Sequence, residues 1–104
     1  MMTKGEKKPQ SDLLYETILT LKDLDECKNF FADLCTVAEL RAMEQRFEVA
    51  LLLSDGMIYN DILDRTGASS ATISRVNRSL NYGAEGYTAV LPRIKDLRKA
   101  NGKL

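Results

Sequence analysis

The chain has 104 residues, 44% of them hydrophobic, and 15 basic side chains balance 15 acidic ones for a formal charge of zero. That length allows one domain with a thin core, of the size that small helical chains commonly complete by association. No apolar stretch approaches a membrane span, and the polar start MMTKGEKKPQ lacks the apolar segment of a signal peptide, so a soluble, cytoplasmic protein is expected.

Residues 1–10, with Lys4, Glu6, Lys7, Lys8 and Pro9, read as a disordered arm, and residues 11–104 as a single domain. Ser11 is placed to cap a first helix whose Leu14, Ile18 and Leu21 recur at helical intervals, ending near Asp23. Asp25 caps a second helix, with Phe30, Phe31 and Leu34 as its apolar side. Cys27 and Cys35 lie on this stretch, and histidine is absent from the chain. Two sulfurs without histidine make no four-ligand zinc set, so no metal is expected and both cysteines read as buried free thiols. Thr36-Val37-Ala38-Glu39 fits a capping box and opens a third, longer helix. Leu40, Met43, Phe47, Ala50 and Leu51 align on its inner face, and Asp55-Gly56 ends it.

The segment Tyr59–Leu80, YNDILDRTGASSATISRVNRSL, has the grammar of a helix-turn-helix. Gly67 sits where two short helices turn sharply, a place that favours positive φ. Ile62, Leu63 and Thr66 give the first helix of the pair an inward face, and Ala68, Ile73 and Val76 carry the stripe into the second. Ser69 is its N-cap. Its outward face is then Ser70, Ala71, Thr72, Ser74, Arg75 and Arg78, short hydrogen-bonding residues followed by arginines, as a helix in a major groove requires. A plain helical hairpin explains the apolar spacing alone, but turn, cap, core and readout face coincide here. One local rule is broken: Ile58 stands where a capping residue belongs, and a start shifted to Asn60 is the alternative. The last element runs from about Glu85 to Lys99 with Pro92 inside it, as two short helices or one kinked. No strand alternation is present, and the reading is six helices, all-α.

The charge is not evenly spread. Residues 1–64 carry seven basic and thirteen acidic side chains, a net of −6, whereas residues 65–104 carry eight basic and two acidic, a net of +6. The basic half begins inside the helix-turn-helix, the electrostatic footprint of a nucleic-acid face on an acidic body.

Ala71-Thr72-Ile73-Ser74-Arg75, followed by Ser79-Leu80, resembles the recognition-helix segment of the tryptophan repressor family. The resemblance runs upstream through Arg46–Leu53, Gly56-Met57 and Gly67-Ala68, over roughly residues 36–91. The ending Asn81-Tyr82-Gly83 … Gly86-Tyr87 is most similar to the Trp-repressor-like YerC/YecD group of bacterial proteins. The resemblance implies a six-helix fold in which two chains interlock through their N-terminal helices, with two recognition helices about one DNA turn (~34 Å) apart. It implies that Ser69, Ser70, Ala71, Thr72, Ser74 and Arg75 form the DNA-reading segment. Tyr59, Asn60 and Leu63 fall at backbone-contacting positions, of which Leu63 reads better as core. In the family an amino-acid pocket lies between the third helix and the recognition helix, with an arginine on each side. Arg75 matches one arginine, Arg46 the other with a one-residue gap before Gly56, and Ser79 a further pocket position. Val76 stands where the family's glycine leaves room for the indole. Tryptophan is therefore not expected as co-repressor: Val76 fills the space as core, and Arg46 turns to Glu44 or Glu48.

The leading expectation is a homodimeric repressor of transcription that binds double-stranded DNA. Arg65, Asn60, Arg78 and Arg75 would contact phosphates, and Ser70, Ala71, Thr72 and Ser74 would read base edges or ordered water. The alternative is an adaptor that docks the same helix pair on another regulator or a polymerase subunit. No enzyme is expected: there is no histidine, no paired carboxylate at an apolar position and no phosphate loop, and no cofactor is called for.

Overall fold

The computed structural model describes residues 11–102, so the expected arm at residues 1–10 lies outside them. Six helices follow in order: α1 (Leu13–Ile18), α2 (Leu24–Leu34), α3 (Val37–Ser54), α4 (Tyr59–Thr66), α5 (Ser70–Tyr82) and α6 (Gly86–Ala100). Among the described residues there is no strand, and no helix is long and apolar enough to cross a membrane. The chain forms two compact units, Met1–Val37 and Ala38–Leu104.

In the first unit α1 is shorter than its periodicity suggests. Ser11 Oγ accepts from the Leu13 N–H at 3.1 Å, but the helix stops at Ile18, and Leu21 lies beyond it. The main chain tightens there into three-residue turns, Thr20 N–H to Thr17 C=O and Leu21 N–H to Ile18 C=O. The Thr17 and Thr20 hydroxyls donate to the carbonyls of Leu13 and Thr17, the local competition by which threonine weakens a helix end. The cap of α2 is Asp23, not Asp25: its carboxylate accepts from the Glu26 N–H at 2.8 Å, while Glu26 Oε1 accepts from the Lys22 N–H at 3.1 Å. Phe30 and Phe31 meet edge to face at 5.4 Å. Cys27 and Cys35 are free thiols, as expected, but half-buried rather than buried, and no residue of α1 or α2 is buried.

The second unit is built on α3. It starts at Val37, directly after Thr36, and ends in a Schellman motif: Gly56 at φ +86 donates to Leu53 C=O, and Met57 to Leu52 C=O. Its most buried residues are Val49, Ala50 and Leu52, of which only Ala50 belonged to the expected inner face. Leu40, Met43, Phe47 and Leu51 are half-buried. Apolar residues surround the C-terminal half of α3, and the neighbouring elements, not spacing alone, decide which are covered.

Val49, Ala50, Leu52, Ile62, Ala68, Ile73 and Val76 make one core, with Leu53, Met57, Leu63 and Tyr87 packed on it. Each of the fully buried branched side chains Val49, Ile62 and Ile73 contributes on the order of 1.5–3 kcal/mol. Against this core α6 runs as one helix from Gly86 to Ala100, with Pro92 inside it. Proline there removes one main-chain donor without ending the helix. Lys95 Nζ lies 2.8 Å from Asp55 Oδ1, a partly exposed ion pair worth about 0–1 kcal/mol.

Candidate nucleic-acid interface

The turn between α4 and α5 is built as the sequence predicts. Gly67 has φ +71 and donates its N–H to Leu63 C=O at 2.9 Å, in a left-handed conformation that costs most L-residues about 1–2 kcal/mol. The Thr66 hydroxyl donates to Ile62 C=O at 2.7 Å and accepts from the Ala68 N–H at 3.1 Å. Ser69 caps α5 with extended backbone, its Oγ accepting from the Thr72 N–H at 3.1 Å. Ile58, by contrast, starts α4 with extended backbone and no side-chain bond, so the helix does begin at Tyr59 without a cap. The burial of Ile62 at its first turn, together with Met57 before it, holds this end in place of capping.

With Ala68, Ile73 and Val76 turned into the core, Ser69, Ser70, Ala71, Ser74, Arg75 and Arg78 are all exposed along one side of α5. Thr72 differs. It is half-buried, and its Oγ1 accepts from Ser69 Oγ at 3.1 Å, so both hydroxyls are partly committed to starting the helix. On α4, Tyr59, Asn60 and Arg65 are exposed, and Leu63 is half-buried on the core. Among the described residues none of Arg65, Arg75 and Arg78 has a carboxylate within 4.0 Å, so three guanidinium groups stand unneutralised on the helix pair.

The pocket residues separate. Arg46 and Arg75 line one cleft of about 70 Å³ together with Ala42, Gln45 and Thr72. Val76, only 3% exposed, belongs to the core, and Ser79 is exposed; neither lines the cleft. Arg46 has no ion pair with Glu44 or Glu48, correcting that expectation. Residues two apart on a helix do not face each other, so neither carboxylate is placed to reach it. A larger open groove of about 470 Å³, floored by Leu80, Tyr87, Leu91 and Pro92, includes none of the readout residues.

Sequence spacing did not single out Gln45. Its Nε2 donates to Thr66 C=O at 3.2 Å, tying α3 to the turn 21 residues later. A lone glutamine on an amphipathic helix carries no signal in sequence, because the bond depends on how α3 and α4 cross.

Comparisons with known proteins agree with this geometry. YerC, an uncharacterised protein of Bacillus subtilis (strain 168), is 53% identical over 85 residues, covering 82% of each chain. A TrpR-like protein from Eubacterium eligens ATCC 27750 superposes with TM-score 0.78 at 55% identity, covering 81% of this chain and 87% of that one. A Staphylococcus aureus protein provisionally described as a Trp repressor gives TM-score 0.78 at 48% identity, with coverage of 81% and 84%. The family model for Trp repressor protein matches residues 9–95, which takes in α1 to α5 and most of α6. The chain belongs to the Trp repressor family, in its YerC-like group.

Proposed function

We propose that this chain is a sequence-specific DNA-binding regulator of transcription, a repressor acting as a homodimer in the bacterial cytoplasm. The observation that carries the reading is the α4–α5 pair itself. A left-handed glycine turn and a serine cap present one exposed face of short side chains ending in Arg75 and Arg78. Tyr59, Asn60, Arg65, Arg75 and Arg78 contact phosphates and set register, while Ser70, Ala71, Ser74 and the Thr72 methyl meet base edges or ordered water. Short side chains carry little direct code, so DNA shape supplies part of the specificity.

Dimerisation is supported by the first unit, in which Leu13, Leu19 and Leu24 are each more than two-thirds exposed. A two-fold dimer of the kind the family resemblance implies presents two recognition helices about one DNA turn apart. Tryptophan is not the co-repressor in this reading. Val76 occupies core where a flat ring would need space, and the Arg46–Arg75 cleft of about 70 Å³ is far below the roughly 300 Å³ at which ligand pockets begin. The recognition helix is then held ready without a small molecule.

A duplex mobility-shift series at low salt, with random genomic fragments and the Arg75→Ala variant as control, tests the reading. The wild type shifts DNA and the variant shifts it less. A wild type that shifts no duplex at low salt rejects DNA binding in favour of docking on a protein partner.

A further inference from the structure

The last turn of a helix leaves carbonyls without intrahelical partners. At the end of α4, the Leu63 carbonyl receives the Gly67 N–H. The carbonyl of Thr66, the last residue before the turn, is instead taken from outside the pair, by Gln45 Nε2 of α3. Gln45 is half-buried, and the same side chain lines the cleft against Thr72 and Arg75 on the first turns of α5. Gln45 thus bonds the last carbonyl of α4 and shares a cleft with residues of the first turns of the recognition helix.

We infer that Gln45 is a positioning residue for DNA reading, fixing the α4–α5 turn on α3 so that the α5 face is held in its binding pose. The inference rests on the DNA-binding role proposed above. The buried core that α3 shares with the pair is apolar: Val49, Ala50 and Leu52 cluster with Ile62, Ile73 and Val76. Apolar packing sets separation but has little directionality, whereas a hydrogen bond weakens steeply with misalignment. Without the bond the turn samples other poses, and the apparent dissociation constant rises as the competent fraction falls. A hydrogen bond of ordinary net strength shifts such an equilibrium about threefold to tenfold, and affinity falls by that whole factor where the competent pose is the minority in the free protein. Gln45 needs no contact with DNA to act in this way.

The test uses the full chain and a duplex that the wild type selects from a random-sequence pool. Gln45→Met keeps length and flexibility but removes the donor. It raises the dissociation constant threefold to tenfold and leaves the slope of affinity against salt unchanged, because no phosphate contact is lost. In the DNA-free protein, hydrogen exchange quickens at Gly67–Ser70 and not at Val49 or Ile73. A dissociation constant within twofold of wild type overturns the inference and leaves the DNA-binding role standing. A changed salt slope overturns it in favour of direct phosphate contact. Exchange that quickens evenly through α3 and α5 overturns it in favour of a merely structural role. A wild type that selects no duplex overturns the role itself, and the inference with it.

Discussion

Two glycines in the second unit are needed for opposite reasons, and substitution separates them. Gly67 has φ +71 with nothing within 4 Å of where a Cβ would stand, so its constraint is purely conformational. Gly83 has an ordinary φ of −87, yet a Cβ there would run into the Ser79 carbonyl, lying 3.1 Å from its carbon and far too close to its oxygen. That oxygen is also the acceptor of the Gly83 N–H at 2.9 Å, so a side chain can be admitted only by giving up the bond that closes α5. Losing the bond costs about 0.5–1.5 kcal/mol, and forcing the turn open adds about 1–3 kcal/mol of overpacking. The stiffer unfolded chain returns about 0.4–1 kcal/mol. The net for Gly83→Ala is therefore a loss of about 0.5–4 kcal/mol. Gly67→Ala loses about 1–2 kcal/mol before the same return. Asparagine discriminates, because it tolerates the left-handed region but still carries a Cβ. Urea unfolding followed by far-ultraviolet circular dichroism, at one fixed protein concentration, reads all four variants. Gly67→Asn recovers part of the alanine loss, and Gly83→Asn recovers none. A Gly83→Ala variant as stable as wild type, or a rescue by asparagine at 83, refutes the steric account.

Four further outcomes are expected. Ser69→Ala, which removes the acceptor for the Thr72 N–H, costs about 1 kcal/mol of stability in the same urea assay. On DNA, Arg78→Ala weakens binding to all sequences and lowers the salt slope by about one, whereas Ser74→Ala changes which duplexes a random pool yields; the reverse pattern would place α5 differently in the groove. Light scattering at micromolar concentration gives twice the mass of one chain with no folded monomer, and a folded species of single-chain mass rejects the dimer. Calorimetric titration with L-tryptophan shows no micromolar binding; Val76→Gly is the variant in which such binding would emerge, and tight binding by the wild type sinks the argument from Val76.

The helix-turn-helix was legible because its constraints are local. Gly67 and Ser69 act through their own backbones, and Ile62, Ala68, Ile73 and Val76 repeat at the helical period, so turn, cap and buried stripe appear in the structure at the expected positions. Elsewhere near-equivalent residues competed. Asp23 and Asp25 are both good caps, and only the bond from the Glu26 N–H decides for Asp23. Leu21 continues a helical interval that two threonines interrupt. The Arg46–Arg75 cleft was legible as a pair of arginines, but not its narrowness, which depends on how closely α3 and α5 pack. Gln45 was illegible for the same reason: crossing geometry, not spacing, selects its partner.

If α5 reads DNA as proposed, a face of serine, alanine and threonine has a physical consequence for where specificity resides. Arginine or glutamine on a recognition helix can swing to follow a base as the helix shifts, because several rotatable bonds separate head group from backbone. Ser70, Ala71 and Ser74 have no such reach, so a base edge or bridging water meets them only if the main chain of α5 arrives in the right place. Small tilts that a long side chain would absorb are lost contacts here. Discrimination among duplexes thus becomes sensitive to the residues that set the pose of α5: the left-handed Gly67, the Ser69 cap, the packing of Ile73 and Val76 on α3, and the Gln45 bond to the turn. Of these, Ile73 and Val76 are buried and Gln45 is half-buried, away from the exposed face. Changes inside α3 should therefore redirect sequence preference as effectively as changes on the face itself, without altering the number of phosphates held.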